Sequence, residues 1–175
     1  MRKELLNFDW YTYHLSVEDY DYTIELVDRI LADRQMEINR TVKKIERKNK
    51  RSKSLFKDDT SEEISDAMYY SHIDGEFLWH FAIWRLQGIF EGILSQNFPI
   101  TSNGFGLKSK LDKLKKCNIT IASNDYIEIL EWAKLRNALS HSPPEQFRPG
   151  NLSRNDVLEY LELLKKVTLY IVSQK

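Results

Sequence analysis

Only one cysteine, Cys117, occurs among the 175 residues, which excludes a disulfide framework and any cysteine-rich zinc site. A reducing cytosol is therefore the expected compartment, and residues 1–9 also lack the apolar run of a secretory signal. Membrane-length hydrophobic runs are missing as well. The strongest apolar stretch, Phe77 to Leu94, is interrupted by His80, Arg85, Gln87 and Glu91, so it reads as a core helix and no membrane partner is expected. No segment carries a strand pattern. Against these absences, 42% apolar and 12% aromatic residues argue for one ordinary folded domain with a real core.

The chain has no net charge, but its charges are segregated. Residues 40–57 hold nine Lys or Arg against Glu46 alone, whereas residues 58–100 hold eight acids against Arg85 alone. A basic block of this kind concentrates polyanions, which makes Lys43, Lys44, Arg47, Lys48, Lys50, Arg51 and Lys53 candidate RNA-binding residues; a solvated helix end would have the same composition. A smaller cluster, Lys108, Lys110, Lys113, Lys115 and Lys116, supports the same reading.

Periodicity predicts an all-α fold, an up-and-down bundle of about five helices led by two long antiparallel ones. Ser16 with Asp19 opens the first helix, in which Val17, Ile24, Leu31, Ile38 and Ile45 recur every seven residues beside Tyr20 and Val27. Thr60 with Glu63 caps the second, which should stop before Pro99. Residues 98–106 read as a loop, Leu107, Leu111 and Leu114 as a short helix, and Ser123-Asn124-Asp125 as the start of the fourth. Ser153 and Asp156 open the last, with Val157, Leu161, Leu164, Thr168 and Ile171 on one side. The N-terminal aromatic arm, residues 1–15 with Trp10, Tyr11, Tyr13 and His14, is expected to seal the bundle or a partner surface. Trp79, Trp84, Phe77, Phe81 and Phe90 are expected in the core.

The chemistry concentrates at the end of the fourth helix, in Arg136-Asn137-Ala138-Leu139-Ser140-His141, stopped by Ser142-Pro143-Pro144. At 100° per residue Tyr126, Leu130 and Ala133 share a side that Asn137 and Ser140 continue, which would put polar residues on the inner face. Arg136 and His141 lie about 140° apart on that helix and do not converge on one small group. Two copies of the helix across a two-fold axis would bring two arginines and two histidines into one cleft, so a homodimer with a composite site is expected.

With its two long leading helices, late Arg-Asn-x3-His element and closing helix, the chain resembles the HEPN superfamily over residues 16–175, the specific match being confined to those six positions. The resemblance implies metal-independent RNA cleavage by a dimer of toxin, abortive-infection or other defence type, with a cognate antitoxin or defence-system protein as a possible partner. It assigns Arg136 and His141 as the catalytic pair and Asn137 as the polar residue after the Arg. Some family toxins carry a Tyr two residues beyond the His, where Pro143 stands here, and that subtype is disfavoured.

Elementary chemistry supports the same roles. RNA supplies its own 2′-hydroxyl nucleophile, so cleavage needs an acid or base near neutral pH and a cation at the developing phosphorane. His141 suits either proton role, Arg136 can grip two phosphate oxygens, and Asn137 can hydrogen-bond the ring or a phosphate. A rival polar stripe, His72, Glu76, His80, Gln87 and Glu91, lies on the second helix. His72, Glu76 and His80 have a metal-ligand-like spacing, but the Glu-x-x-His elements of di-iron bundles are absent, and neither metal nor cofactor is expected. The stripe either faces solvent or lines the cleft, where Glu76 or Glu91 would orient Arg136 beside His80 and Ser140. The competing functional class is a non-catalytic helical module that binds RNA, a nucleotide or a protein partner.

Overall fold

The computed structural model describes residues 14–51, 58–102, 106–141 and 152–175, with helical backbone alone for Asn49, Arg51, residues 58–60 and His141. Five α-helices account for it: α1 (Glu18–Arg51), α2 (Asp58–Asn97), α3 (Gly106–Lys116), α4 (Ser123–His141) and α5 (Arg154–Val172), with a 3-10 turn at Pro99–Thr101 after α2. No strand occurs among the described residues, and no described helix is long and apolar enough to cross a membrane. The fold is an all-α bundle. Residues 1–13 of the N-terminal arm, Lys53 and the Pro143-Pro144 loop lie outside the described residues.

Local sequence explains most of the boundaries. At the start of α1, Asp19 accepts hydrogen bonds from the backbone N–H of Ser16 at 2.8 Å and from its hydroxyl at 3.3 Å. At α5 the Ser153–Asp156 capping box is complete, and its hydrogen bonds hold the Asp156 carboxyl below the usual carboxylate range. Helix α2 begins at Asp58, so Thr60 stands inside its first turn and not ahead of it. The expected loop after Asn97 is partly a 3-10 turn, because Phe98 and Thr101 are buried and Thr101 bonds back to the Phe98 carbonyl.

Packing divides the molecule into a head and an arm. The core of the head joins Tyr20, Ile24 and Val27 of α1 to Trp79, Ile83, Leu86 and Phe90 of α2, Leu111 and Leu114 of α3, Ile129 of α4, and Tyr160, Leu164 and Ile171 of α5. Polar ties flank it: Tyr20 and Thr168 share a buried hydrogen bond of 2.9 Å, and Arg154 grips Asp28 through two nitrogens. Among the residues whose burial is described, none of α1 beyond Asp28 is buried, and neither is any α2 residue from Ser61 to Leu78. There the two helices run on as a two-helix arm, tied by Arg34 to Asp74 at 3.4 Å and by Lys48 to Glu63 at 3.9 Å.

The second helix corrects one expectation. Trp79 and Phe90 are in the core, but Phe77, Phe81 and Trp84 are exposed by 64%, 41% and 57%. These three follow their own i, i+4, i+7 line on a side of α2 left exposed among the described residues.

Candidate functional site

Arg136 belongs to the packed face of α4. Ile129 and Ala133 are buried and Trp132 stacks on Tyr160 at 4.8 Å, and Arg136 continues that i, i+4, i+7 line. Asn137 and Ser140, expected on the inner face, are both exposed. The inner face is set one position earlier than Tyr126, Leu130 and Ala133 suggested, because Ile129 is fully buried and Trp132 stacks on Tyr160 of α5. Ser140 donates from its hydroxyl to the Arg136 carbonyl at 2.9 Å and faces away from the core. His141 closes α4, and its side chain lies outside the described residues.

An arginine at a packing position needs acceptors, and α2 provides them. Arg136 donates from Nε to Gln87 Oε1 at 3.2 Å, and its Nη2 lies 3.7 Å from Glu91 Oε1. Gln87 donates in turn to Glu91 Oε1 at 2.8 Å, while Lys110 of α3 approaches Glu91 Oε2 at 2.9 Å. The side chains of Glu91, Lys110 and Arg136 are only 18%, 14% and 23% exposed, so the carboxylate compensates two poorly hydrated cations at once. Behind them the Tyr160 hydroxyl is buried without a hydrogen-bond partner among the described residues; burial above all drives its pKa upward, Tyr20 and Glu91 adding to the rise and Arg136 opposing it.

This network forms one wall of a cleft of about 570 Å3 between α2, α3 and α4, a size that suits a small ligand or one unit of a polymer. Trp84, Gly88, Gly92 and Ser95 run along α2, Lys110 and Arg136 face them from α3 and α4, and Leu15 closes one end. Leu15 packs where a Cβ on Gly92 would have to stand, and Gln96 pins its backbone through both the N–H and the carbonyl. Gly88 has no such reason. A Cβ there would meet nothing within 4 Å, although a mid-helix glycine costs about 0.5–1 kcal/mol relative to alanine. Arg85, with its buried Nε unpaired, adds a third cation to the lining, against the single carboxylate of Glu91.

The other candidates lie elsewhere. Glu76 precedes Glu91 by four turns of α2, about 22 Å, and pairs with His72 at 3.5 Å. His80 stacks edge-on against Phe77 at 6.0 Å; burial lowers its pKa and Glu76 opposes that shift. The polar stripe on α2 is thus split between two neighbourhoods, and no group of three His, Cys, Asp or Glu suited to a metal occurs among the described residues. Lys43, Lys44, Arg47, Lys48 and Lys50 are exposed near the arm tip, and Arg51 ends α1. Since Lys48 meets Glu63 and Arg136 meets Glu91, both on α2, the basic block lies about 40 Å from the cleft.

Gln87 joins the site from the polar stripe of α2, while Lys110 and Arg85 join it without a sequence motif of their own for it. Lys110 was countable only as one of five lysines, yet it sits at i+3 from Leu107 and at i−4 from Leu114, on the buried line of α3. A lysine on an apolar line is a signal for a buried partner. No protein-family model, curated protein or solved structure matches the chain.

Proposed function

We propose that the chain is a metal-independent endoribonuclease of toxin or defence type, acting as a homodimer and resembling the HEPN superfamily in its Arg-Asn-x3-His element. The single observation that carries this reading is the setting of Arg136: a guanidinium fixed by Gln87 and Glu91 on the wall of a cleft whose lining holds three cations and one carboxylate. Such a cleft favours a phosphodiester, and a fixed guanidinium stabilises charge that grows in the transition state without having to reorganise.

In this mechanism the substrate's 2′-hydroxyl attacks its own phosphorus. Arg136 holds the phosphate oxygens, Lys110 adds charge beside it, and His141 moves the proton either from the nucleophile or to the leaving 5′-oxygen. Asn137, exposed next to Arg136, is free to contact the strand. The angular separation of Arg136 and His141 on α4 calls for the histidine of a second copy. Products carry a 2′,3′-cyclic phosphate and a 5′-hydroxyl. The exposed lysines and arginines of the arm tip would hold a more distant part of the same strand.

One observation favours a second reading, a binding module without catalysis: Arg136 already spends two of its nitrogens on Gln87 and Glu91. The two readings part in one assay. Purified protein is incubated with RNA in EDTA, beside Arg136→Ala, His141→Ala and a substrate whose 2′-hydroxyls are replaced by hydrogen. Cleavage by wild type alone, losing at least 100-fold in either variant and vanishing on the deoxy substrate, is the expected result. RNA bound but left intact by wild type favours the binding module, and equal cleavage by all three proteins overturns the assignment of the pair.

A further inference from the structure

The cleft has an aromatic end and a cationic end, and they are two helical turns apart. Trp84 is 57% exposed at one end, while Lys110 and Arg136 meet Glu91 at the other, about 10 Å further along α2. The floor between them is Gly88, open and unpacked. An exposed tryptophan, a bare backbone floor and two oriented cations match the parts of a nucleotide: a flat base, a sugar and a phosphate.

We propose that this cleft takes one unpaired nucleotide of an RNA strand, with its base stacked on Trp84, its ribose over Gly88 and its phosphate against the cleft side of Lys110 and Arg136. The choice of RNA rests on the ribonuclease reading; the stacking site itself does not. Trp84 is a specificity residue that reads an unpaired base, since a base inside a duplex offers no free face. Lys110 is a phosphate ligand held in place by Glu91. Gly88 keeps the floor clear, which gives the mid-helix glycine a reason that packing does not. Arg85 adds a further positive charge to the lining beside Trp84.

The test is binding without chemistry. A tetranucleotide carrying 2′-O-methyl groups throughout cannot be cleaved by 2′-hydroxyl attack and is too short to reach the arm. Its affinity is titrated by fluorescence against wild type, Trp84→Ala, Trp84→Phe, Lys110→Gln and Gly88→Val, beside a duplex of the same sequence and a free nucleoside monophosphate. Thermal unfolding and sedimentation of each protein accompany the titrations. Tenfold or greater weakening in Trp84→Ala, recovery in Trp84→Phe, and loss in Gly88→Val with unfolding temperature retained are expected. In Lys110→Gln the salt slope should shrink by about 0.7. Binding that is unchanged in both Trp84→Ala and Lys110→Gln overturns the site. Equal affinity for the duplex overturns the unpaired base, and equal affinity for the monophosphate overturns the strand. Altered sedimentation of Trp84→Ala with unaltered tetranucleotide affinity overturns stacking in favour of a subunit contact. Should the tetranucleotide bind as expected while natural RNA stays uncut, this site stands and the ribonuclease reading falls.

Discussion

One helix, α2, passes through two environments. From Ser61 to Leu78 it buries nothing, and its main neighbour is α1. From Trp79 to Leu94 it buries Trp79, Ala82, Ile83, Leu86, Gln87, Ile89, Phe90, Ile93 and Leu94 against α1, α3, α4 and α5. In the arm, Ile38 and Ile45 of α1 are half-buried, so a single apolar seam holds the pair. In the head, α2 buries one continuous face, and the buried Gln87 marks where that face ends and the cleft begins. The arm displays charge on a thin support. The head has enough packing to hold charged groups out of water.

The largest expected effect sharpens this contrast. Leu164→Ala, at the fully buried centre of the head, should lower unfolding free energy by about 3–5 kcal/mol, whereas Ile38→Ala in the arm should cost about 1 kcal/mol or less. Urea unfolding of both variants decides it, and comparable losses would erase the distinction.

Next in size is Glu91→Ala. It strands Lys110 and Arg136 with little hydration and should cost about 2–3 kcal/mol in the same measurement, while Glu63→Ala, which loosens an exposed pair at 3.9 Å, should cost nothing measurable. A neutral Glu91→Ala would mean that the cations relax into solvent and that the cleft is not pre-formed.

The smallest effect concerns pH where arm meets head. Burial holds the His80 imidazole below its ordinary value of 6.5, so the unfolded chain binds more protons than the folded one between 6.5 and the lowered value. Stability should therefore fall as pH drops through that window, and the dependence should flatten in His80→Gln. Chemical unfolding at pH 7.5 and 5.5 measures it, and an unchanged slope in the variant would assign the dependence to other groups.

Sequence made the helices legible because their signals are local. Capping pairs such as Ser153 with Asp156, a seven-residue repeat in α1 and the stop before Pro99 act within a few residues of themselves. The α2 aromatics were misread for a physical reason. Trp79 and Trp84 have the same transfer energy and differ only in which side of α2 finds a neighbour, which is a tertiary fact. The site was half legible. Arg136 is legible in the Arg-Asn-x3-His element and Glu91 in the polar stripe of α2, but their meeting depends on how α2 and α4 cross, and the inner face of α4 lies one position from where periodicity puts it. Lys110 was hidden among its neighbours, although its place on the leucine line of α3 gave it away.

The separation between arm tip and cleft sets a yardstick. A stacked strand advances about 3.4 Å per nucleotide, so one chain touching both ends must run to about a dozen nucleotides. Under the proposed RNA binding, shorter fragments would engage one end at a time, and a polymer long enough to engage both would gain the second contact without a second diffusional encounter. If cleft and arm tip both hold RNA as proposed, α2 would thereby grade strands by length, favouring long ones over short fragments.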